Sequence, residues 1–316
     1  MRSRLLVFTA LFIITFPAAG QQSPDIEYSE KLPLSVHSLL LDVVALSGGG
    51  FVAVGERGHV VYSADGTNWK QADVVPTRST LTAVAEFRGR LWAAGHDAVI
   101  LTSGDGGVTW TRQYFDPERQ QAIMDVHFFN AQRGLAVGSY GLALFTDDGG
   151  ANWTDGMINE EEWHNNAIIA SGPTNIMVAG EAGFSYRSHD AGETWETLDL
   201  PYAGSMFGII KAFNDCINVF GLRGHVQESC DFGETWSELE SATESSISGA
   251  IHILDKTIMV GNSGLILVRE NNGPLHGEYH SSGVDFAAIA TSGDGRFVLV
   301  GEDGVHHYPE KGNPVP

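Results

Sequence analysis

Five aspartates, Asp65, Asp105, Asp148, Asp190 and Asp231, recur at nearly even intervals, each two residues after a Ser or Thr. Carboxylates acting in concert perform acid/base and nucleophilic steps in glycoside hydrolysis, so that chemistry is the first to weigh. Their setting argues for another role. Ser103 to Trp110, Ser188 to Trp195 and Ser229 to Trp236 share the spacing Ser-x-Asp-x-Gly-x-Thr-Trp. Thr146 to Trp153 has Asn152 in place of Thr, and Ser63 to Trp69 is one residue shorter. A sixth copy is degenerate, with Asn271, Gly273 and His276 at the Asp, Gly and Trp positions. An Asp in such a segment can accept backbone N–H bonds across a turn, and Gly can supply a positive φ. Trp69, Trp110, Trp153, Trp195 and Trp236 can pack between neighbouring sheets. These residues are expected to be structural and to lie away from any axial site.

Other chemistries find less support. His306 and His307 are adjacent on an expected strand and point to opposite faces. His276 and His280 have no neighbouring acid or Cys to complete a zinc set. There is no Gly-x-Ser-x-Gly elbow and no phosphate-cradling loop. No metal, cofactor or catalytic residue is expected.

The elements that carry the aspartates form a repeat. Its copies begin at Gly55, Gly95, Gly138, Gly180, Gly221, Gly261 and Gly301, in steps of 40 to 43 residues. In the fifth copy, Ile217 to Phe220 reads as a strand, Gly221 to Gly224 as a tight turn and His225 to Glu228 as the returning strand. Another apolar run precedes each copy, such as Leu81 to Val84, and a further strand follows each Trp. Four short antiparallel strands in each of seven units predict an all-β, seven-bladed β-propeller in one domain, residues 21–316. The seventh copy would reach its Trp position at Pro316, so it lacks a fourth strand. Tyr28 to Pro33 is expected to supply that strand, with Tyr28 at the Trp position, and to close the ring.

The repeated segment is the Asp-box, and the chain resembles the BNR superfamily of sialidases, other exo-acting glycosidases and non-enzymatic propellers. Within it the chain looks most like the photosystem II stability and assembly factor family. Gly138-Ser139-Tyr140-Gly141 through Trp153 and Gly180-Glu181-Ala182-Gly183 through Trp195 carry that resemblance. It implies a seven-bladed propeller that binds a membrane-protein precursor during assembly, without catalysis. The family is associated with an arginine-rich patch, whereas this chain is poor in arginine. The alternative is a sialidase-like exo-glycosidase or a carbohydrate-binding propeller. Sialidase chemistry needs three clustered arginines, a Tyr–Glu pair and an acid/base Asp, and Lys31-Leu32-Pro33 does not match the Arg-Ile-Pro motif of that group. Trp163, Tyr140 and Tyr202 would be the stacking residues of a sugar binder.

In a propeller the turn between the second and third strands opens on the same face as the loop to the next blade, and recesses near the axis there are the default site. The turns bring Arg57, His96, Asp97, Tyr140, Glu181, Arg223 and Asp303 to that face. The inter-blade loops add Arg78, Arg119 and Trp163. Trp163 stands beside Glu160, Glu161 and Glu162 in the longest of those loops. These ten residues are the binding candidates, with Arg57 and Arg223 contributing charge pairs.

Cys216 and Cys230 flank the fifth turn on neighbouring strands, where either a disulfide or two free thiols would fit. Residues 1–20 read as a secretory signal peptide: Arg2 and Arg4, an apolar run from Leu5 to Phe16 too short to span a bilayer, then Pro17-Ala18-Ala19-Gly20. No Cys follows that run, which speaks against a lipid anchor, and no later segment is apolar enough for stable membrane insertion. The chain is expected to be exported, periplasmic or secreted. Loss of the leader removes two arginines and no acid, taking the net charge from −21 to −23. Such a surface repels phosphate backbones and disfavours nucleic acid. The partner expected is a protein, for which a membrane-protein complex is the leading candidate, with a glycan as the alternative.

Overall fold

A computed structural model describes residues 26–293 and 295–309. The leader and the Trp-equivalent position of the seventh repeat lie outside these residues. Seven antiparallel sheets follow one another along the chain, each with its strands in sequence order. Blade 1 is built from Leu40–Ala45, Phe51–Gly55, Val60–Ser63 and Trp69–Gln71. Blades 2 to 7 occupy residues 81–114, 123–155, 165–199, 206–238, 247–279 and 286–308. Six sheets have four strands and the seventh has three. The chain is a seven-bladed β-propeller.

The strand sequences follow from where each strand sits. The second strand of each blade has a neighbouring blade against both of its faces, so it reads as an unbroken apolar run. Phe51–Gly55, Gly134–Gly138 and Phe297–Gly301 are buried at every position. The fourth strands lie at the rim, and Thr154–Asp155 and Ser237–Glu238 are exposed throughout. The hydrophobic core is divided among the junctions. Between blades 1 and 2, Val52 and Val54 meet Leu81, Leu91, Leu101 and Trp110. Between blades 7 and 1, Val298 and Val300 meet Phe51, Ala53 and Val61. That last contact closes the ring.

The leading Gly of the repeat is required by close approach. Gly55, Gly95, Gly138, Gly261 and Gly301 have extended backbones. A Cβ at any of them would fall 2.0–2.1 Å from a carbonyl oxygen next to the start of the blade's first strand. A bulge at the second residue of the first strand accompanies this approach, for example between Leu40 and Asp42.

The N-terminal segment differs from expectation. Among the described residues it forms no fourth strand on blade 7. Ser29 N–H donates instead to Val75 O at 2.9 Å, Leu32 N–H donates to Gln71 Oε1 at 2.9 Å, and Lys31 pairs with Asp73. Tyr28 is exposed and does not take a Trp position. The segment reaches blade 7 only through a 3-10 turn, Ser35–His37, which lies against Gly304. Polar groups at the end of blade 1, Gln71, Asp73 and Val75 O, hold it there.

Candidate functional site

The seven turns between second and third strands share one geometry. Arg57, Asp97, Tyr140, Ala182, Arg223, Ser263 and Asp303 all hold φ between 53° and 59°. This left-handed conformation costs least for Gly, Asn and Asp, so other residues there are held by the turn.

This face does not gather all of the expected residues. Arg57 is exposed, with only Glu56 of its own turn at 4.0 Å. Arg223 is exposed four blades further round and makes no ion pair among the described residues. Arg119 is consumed by its surroundings: its Nε lies 2.8 Å from Asp116 and its Nη1 2.7 Å from Asp155, which together hold its pKa above the ordinary value. Glu181 is likewise occupied, accepting the His164 N–H at 2.9 Å. His96 and Asp303 are exposed turn residues.

A groove of about 390 Å³ between blades 1 and 2 does bring candidates together. Glu27, Thr77, Arg78, Ser79, Asp97, Arg112, Phe115 and Pro117 line it. Arg78 reaches Glu30 at 2.9 Å, and Ser79 Oγ donates to Asp97 Oδ2 at 2.6 Å. The Arg112 guanidinium lies 4.5 Å from the centre of the Phe115 ring and makes no ion pair among the described residues. Arg112 and Phe115 escaped the sequence reading because they sit at and just after a fourth strand, Thr111–Tyr114, rather than in a turn. Their spacing of three residues was the only local signal.

The Asp-box carboxylates are spent on their own turns. Asp190 accepts the Thr194 N–H at 2.9 Å, the Thr194 hydroxyl at 2.6 Å and the Ser188 hydroxyl at 2.7 Å. These bonds, led by the Thr194 hydroxyl, hold its pKa down to about 2, and Asp231 repeats the pattern through Thr235 and Ser229. Asp65 and Asp148 are also lowered by hydrogen bonds, chiefly from Asn68 and Asn152. At Asp105, burial opposes the shift but the bonds from Thr109 and Ser103 outweigh it. Carboxyls held so acidic cannot serve as general acids near neutrality. The indole N–H of Trp69, Trp110 and Trp195 donates to the carbonyl of the Gly three residues earlier, at 2.8, 3.0 and 3.1 Å. Trp153 packs edge-on against Phe128, and Trp236 joins the junction of blades 4 and 5.

Two carboxyls behave oppositely. Asp42 and Asp125 line an axial cavity of about 320 Å³ enclosed by the first strands of all seven blades. Burial pushes Asp42 up to about 7 and Asp125 up to about 6. The sequence reading missed both because each is one acid inside an apolar strand. Cys216 and Cys230, 14 positions apart in the sequence, form a disulfide.

The family model described as photosynthesis system II assembly factor YCF48 matches residues 113–257. The chain is an Asp-box propeller resembling the photosystem II assembly factors. It is 26% identical over 197 residues to a photosystem II assembly lipoprotein Ycf48 of Synechococcus sp. (strain CC9902), covering 60% of this chain and 57% of that protein. It is 31% identical over 140 residues to a Ycf48 of Synechococcus sp. (strain JA-2-3B'a(2-13)), covering 42% and 41%. The matches thus span about half of the curated relatives' lengths. A solved structure described as YCF48 bound to D1 peptide superposes with TM-score 0.71 at 16% identity, covering 90% of this chain and 96% of that one. YCF48 from Cyanidioschyzon merolae gives TM-score 0.67 at 18% identity, covering 88% and 96%. The WD40 propeller of Doa1 gives 0.71 at 13%, covering 90% and 98%, so these likenesses speak for the fold.

Proposed function

We propose that this chain is an exported, non-catalytic propeller that holds an extended segment of a partner protein and so aids assembly of a membrane or envelope complex. The groove between blades 1 and 2 carries this reading. In a chain of net charge −21, it places Arg78 and Arg112 against Phe115 and Pro117 on the face that the repeat turns share. An aromatic floor with flanking guanidinium groups suits a peptide with an acidic or carboxylate-bearing side. The assembly-factor relatives and the peptide-bound YCF48 support a protein partner, a photosystem II-type subunit being the nearest analogue. The arginines that a sialidase would cluster stand on different blades or are tied to carboxylates, which favours binding over glycoside chemistry. An export leader in residues 1–20 would place the propeller in the periplasm or outside the cell.

The test is affinity capture from the detergent-solubilised envelope of the source cell, with wild type beside Arg78→Glu/Arg112→Glu. One enriched membrane protein, lost in the variant while the melting temperature holds, is the expected result. Equal capture by both proteins would move the site elsewhere, and no enrichment of any protein would reject the reading.

A further inference from the structure

The inter-blade loop between blades 3 and 4, residues 156–164, is firmly held. Ile158 is buried in the junction core. Asn159, 7% exposed, accepts the Trp163 N–H at 3.0 Å and donates to Trp163 O at 3.3 Å and to Asn165 Oδ1 at 3.1 Å. The Gly141 N–H donates to Trp163 O at 3.1 Å, tying the loop tip to the turn that carries Tyr140. The Tyr140 ring stands edge-on to His164 with centroids 4.9 Å apart, and the Trp163 ring tilts over Phe184 at 6.5 Å.

What this frame displays is exposed. Tyr140 is 60% exposed and Trp163 37%. Glu160, Glu161 and Glu162 are exposed and make no ion pair among the described residues. Below them the Tyr186 hydroxyl is fully buried with no hydrogen-bond partner. Burial first, then Glu161 and Glu181, push that hydroxyl's pKa up to about 12.

We propose that Tyr140, Trp163 and Glu160 to Glu162 form a docking platform for a lysine- or arginine-rich extended segment of a partner protein. A cation over an indole or phenol face is attracted by the ring quadrupole, most strongly by Trp. Three carboxylates beside the rings steer and retain that cation. Their backbone is already fixed, so binding loses little loop entropy. This surface is separate from the blade 1–2 groove and selects the opposite charge, so neither depends on the other.

The experiment is fluorescence anisotropy with the full chain and a labelled lysine-rich octapeptide, its glutamate counterpart serving as control. The lysine peptide is expected to bind and the glutamate peptide not to. Trp163→Ala and the Glu160→Gln/Glu161→Gln/Glu162→Gln variant should each weaken binding about tenfold. Arg112→Glu, in the other groove, should not weaken it. A net-charge-matched control, Asp199→Asn/Glu240→Gln/Glu244→Gln, separates a local site from general attraction to an acidic protein. If that control weakens binding as much as the loop variant, or if Trp163→Ala has no effect, the platform does not exist. Circular dichroism melting of each variant confirms that it folds.

Discussion

Asp42 and Asp125 enter the same axial cavity from blades 1 and 3, and each carboxyl accepts the backbone N–H of the following blade's first strand. The bonds are Asp42 Oδ2 to Val84 N and Asp125 Oδ2 to Ile168 N, both 2.7 Å. Thr82 continues the series by donating to Ile123 O, and Asn166 by donating to Met206 O at 2.9 Å. Blades 1 to 5 are thus stitched around the axis at four junctions, by one polar side chain from each of blades 1 to 4. At the position of Thr82 and Asn166, blades 5 and 7 have Phe207 and Ala287, which cannot do this. At Gly249 the chains come too close for a side chain, since a Cβ would lie 2.7 Å from Ala287 O.

This arrangement predicts an inverted pH dependence. Desolvation, and for Asp42 also repulsion from Asp125, raises both folded pKa values from an ordinary 3.8 to about 7 and about 6. The folded protein therefore binds more protons than the unfolded chain across that window. Their contribution to stability is greatest below about pH 4 and is lost as pH rises through 6 to 7. Besides these two, the cavity lining consists of Thr82, Asn166, Ser248 and apolar residues, so no cation offsets the effect. Asp42 and Asp125 should lower the melting temperature by several degrees between about pH 5 and about pH 8, against the opposite trend of buried His127, whose pKa burial holds down to about 4. Asp42→Asn/Asp125→Asn should flatten that slope. An unchanged slope in the variant would show that other groups govern it.

The repeat glycines give a sharper stability test. Gly261→Ala would bring a Cβ to 2.0 Å from Ser246 O, and backbone cannot yield as a side-chain tip can. A loss of about 3 kcal/mol is expected. Gly104→Ala meets nothing within 4 Å and has no positive φ, so it should stay within about 0.5 kcal/mol of wild type. Urea denaturation midpoints measure both, and equal midpoints would rule out close approach as the reason for these glycines.

The sequence was informative where the cause is local. A Ser or Thr, an Asp and a Trp within eight residues determine the Asp-box turn, and a Gly determines the close approach, so blades and turns could be placed by inspection. Asp42 and Arg112 were not legible in this way. Asp42 lies in Leu40-Leu41-Asp42-Val43, and only the bulge and the assembled ring show that it faces the axis. Arg112 acquires meaning only when Arg78 of the preceding inter-blade loop is brought beside it. The N-terminal strand was misplaced for a similar reason. A likeness between Tyr28 and a blade Trp is local, whereas the choice between Val75 and the blade 7 edge is tertiary.

The Cys216–Cys230 bond ties the ends of the central hairpin of blade 5, next to Ile217 and Ser229, which are paired in register. Closing a loop of this length restricts the unfolded chain by about 3 kcal/mol. Cys216→Ser/Cys230→Ser should lower the urea stability by that order, and dithiothreitol should do the same to wild type. Since the binding faces lie elsewhere, affinity for the lysine peptide should be unchanged. A reduced protein as stable as the oxidised one would show that the hairpin holds without its bond.

Arg187 links blade 4 to the Asp-box of blade 5. It is 6% exposed, and its Nη1 donates to Phe232 O at 3.0 Å. Its Nε and Nη2 reach Glu196 at 2.8 Å and Glu234 at 2.9 Å. Arg133 makes the equivalent bond one blade earlier, to Ala191 O at 2.9 Å. Both glutamates of Arg187 are exposed, so water can take over their solvation, whereas the rigid fork cannot be replaced by a point charge. Arg187→Ala should therefore cost about 2 kcal/mol, below the figure for a wholly buried pair. Arg187→Lys should recover less than half, because one ammonium cannot span the carbonyl and both carboxylates. Full recovery by Lys in a urea titration would mean that charge alone, and not the three-way geometry, joins blade 4 to blade 5.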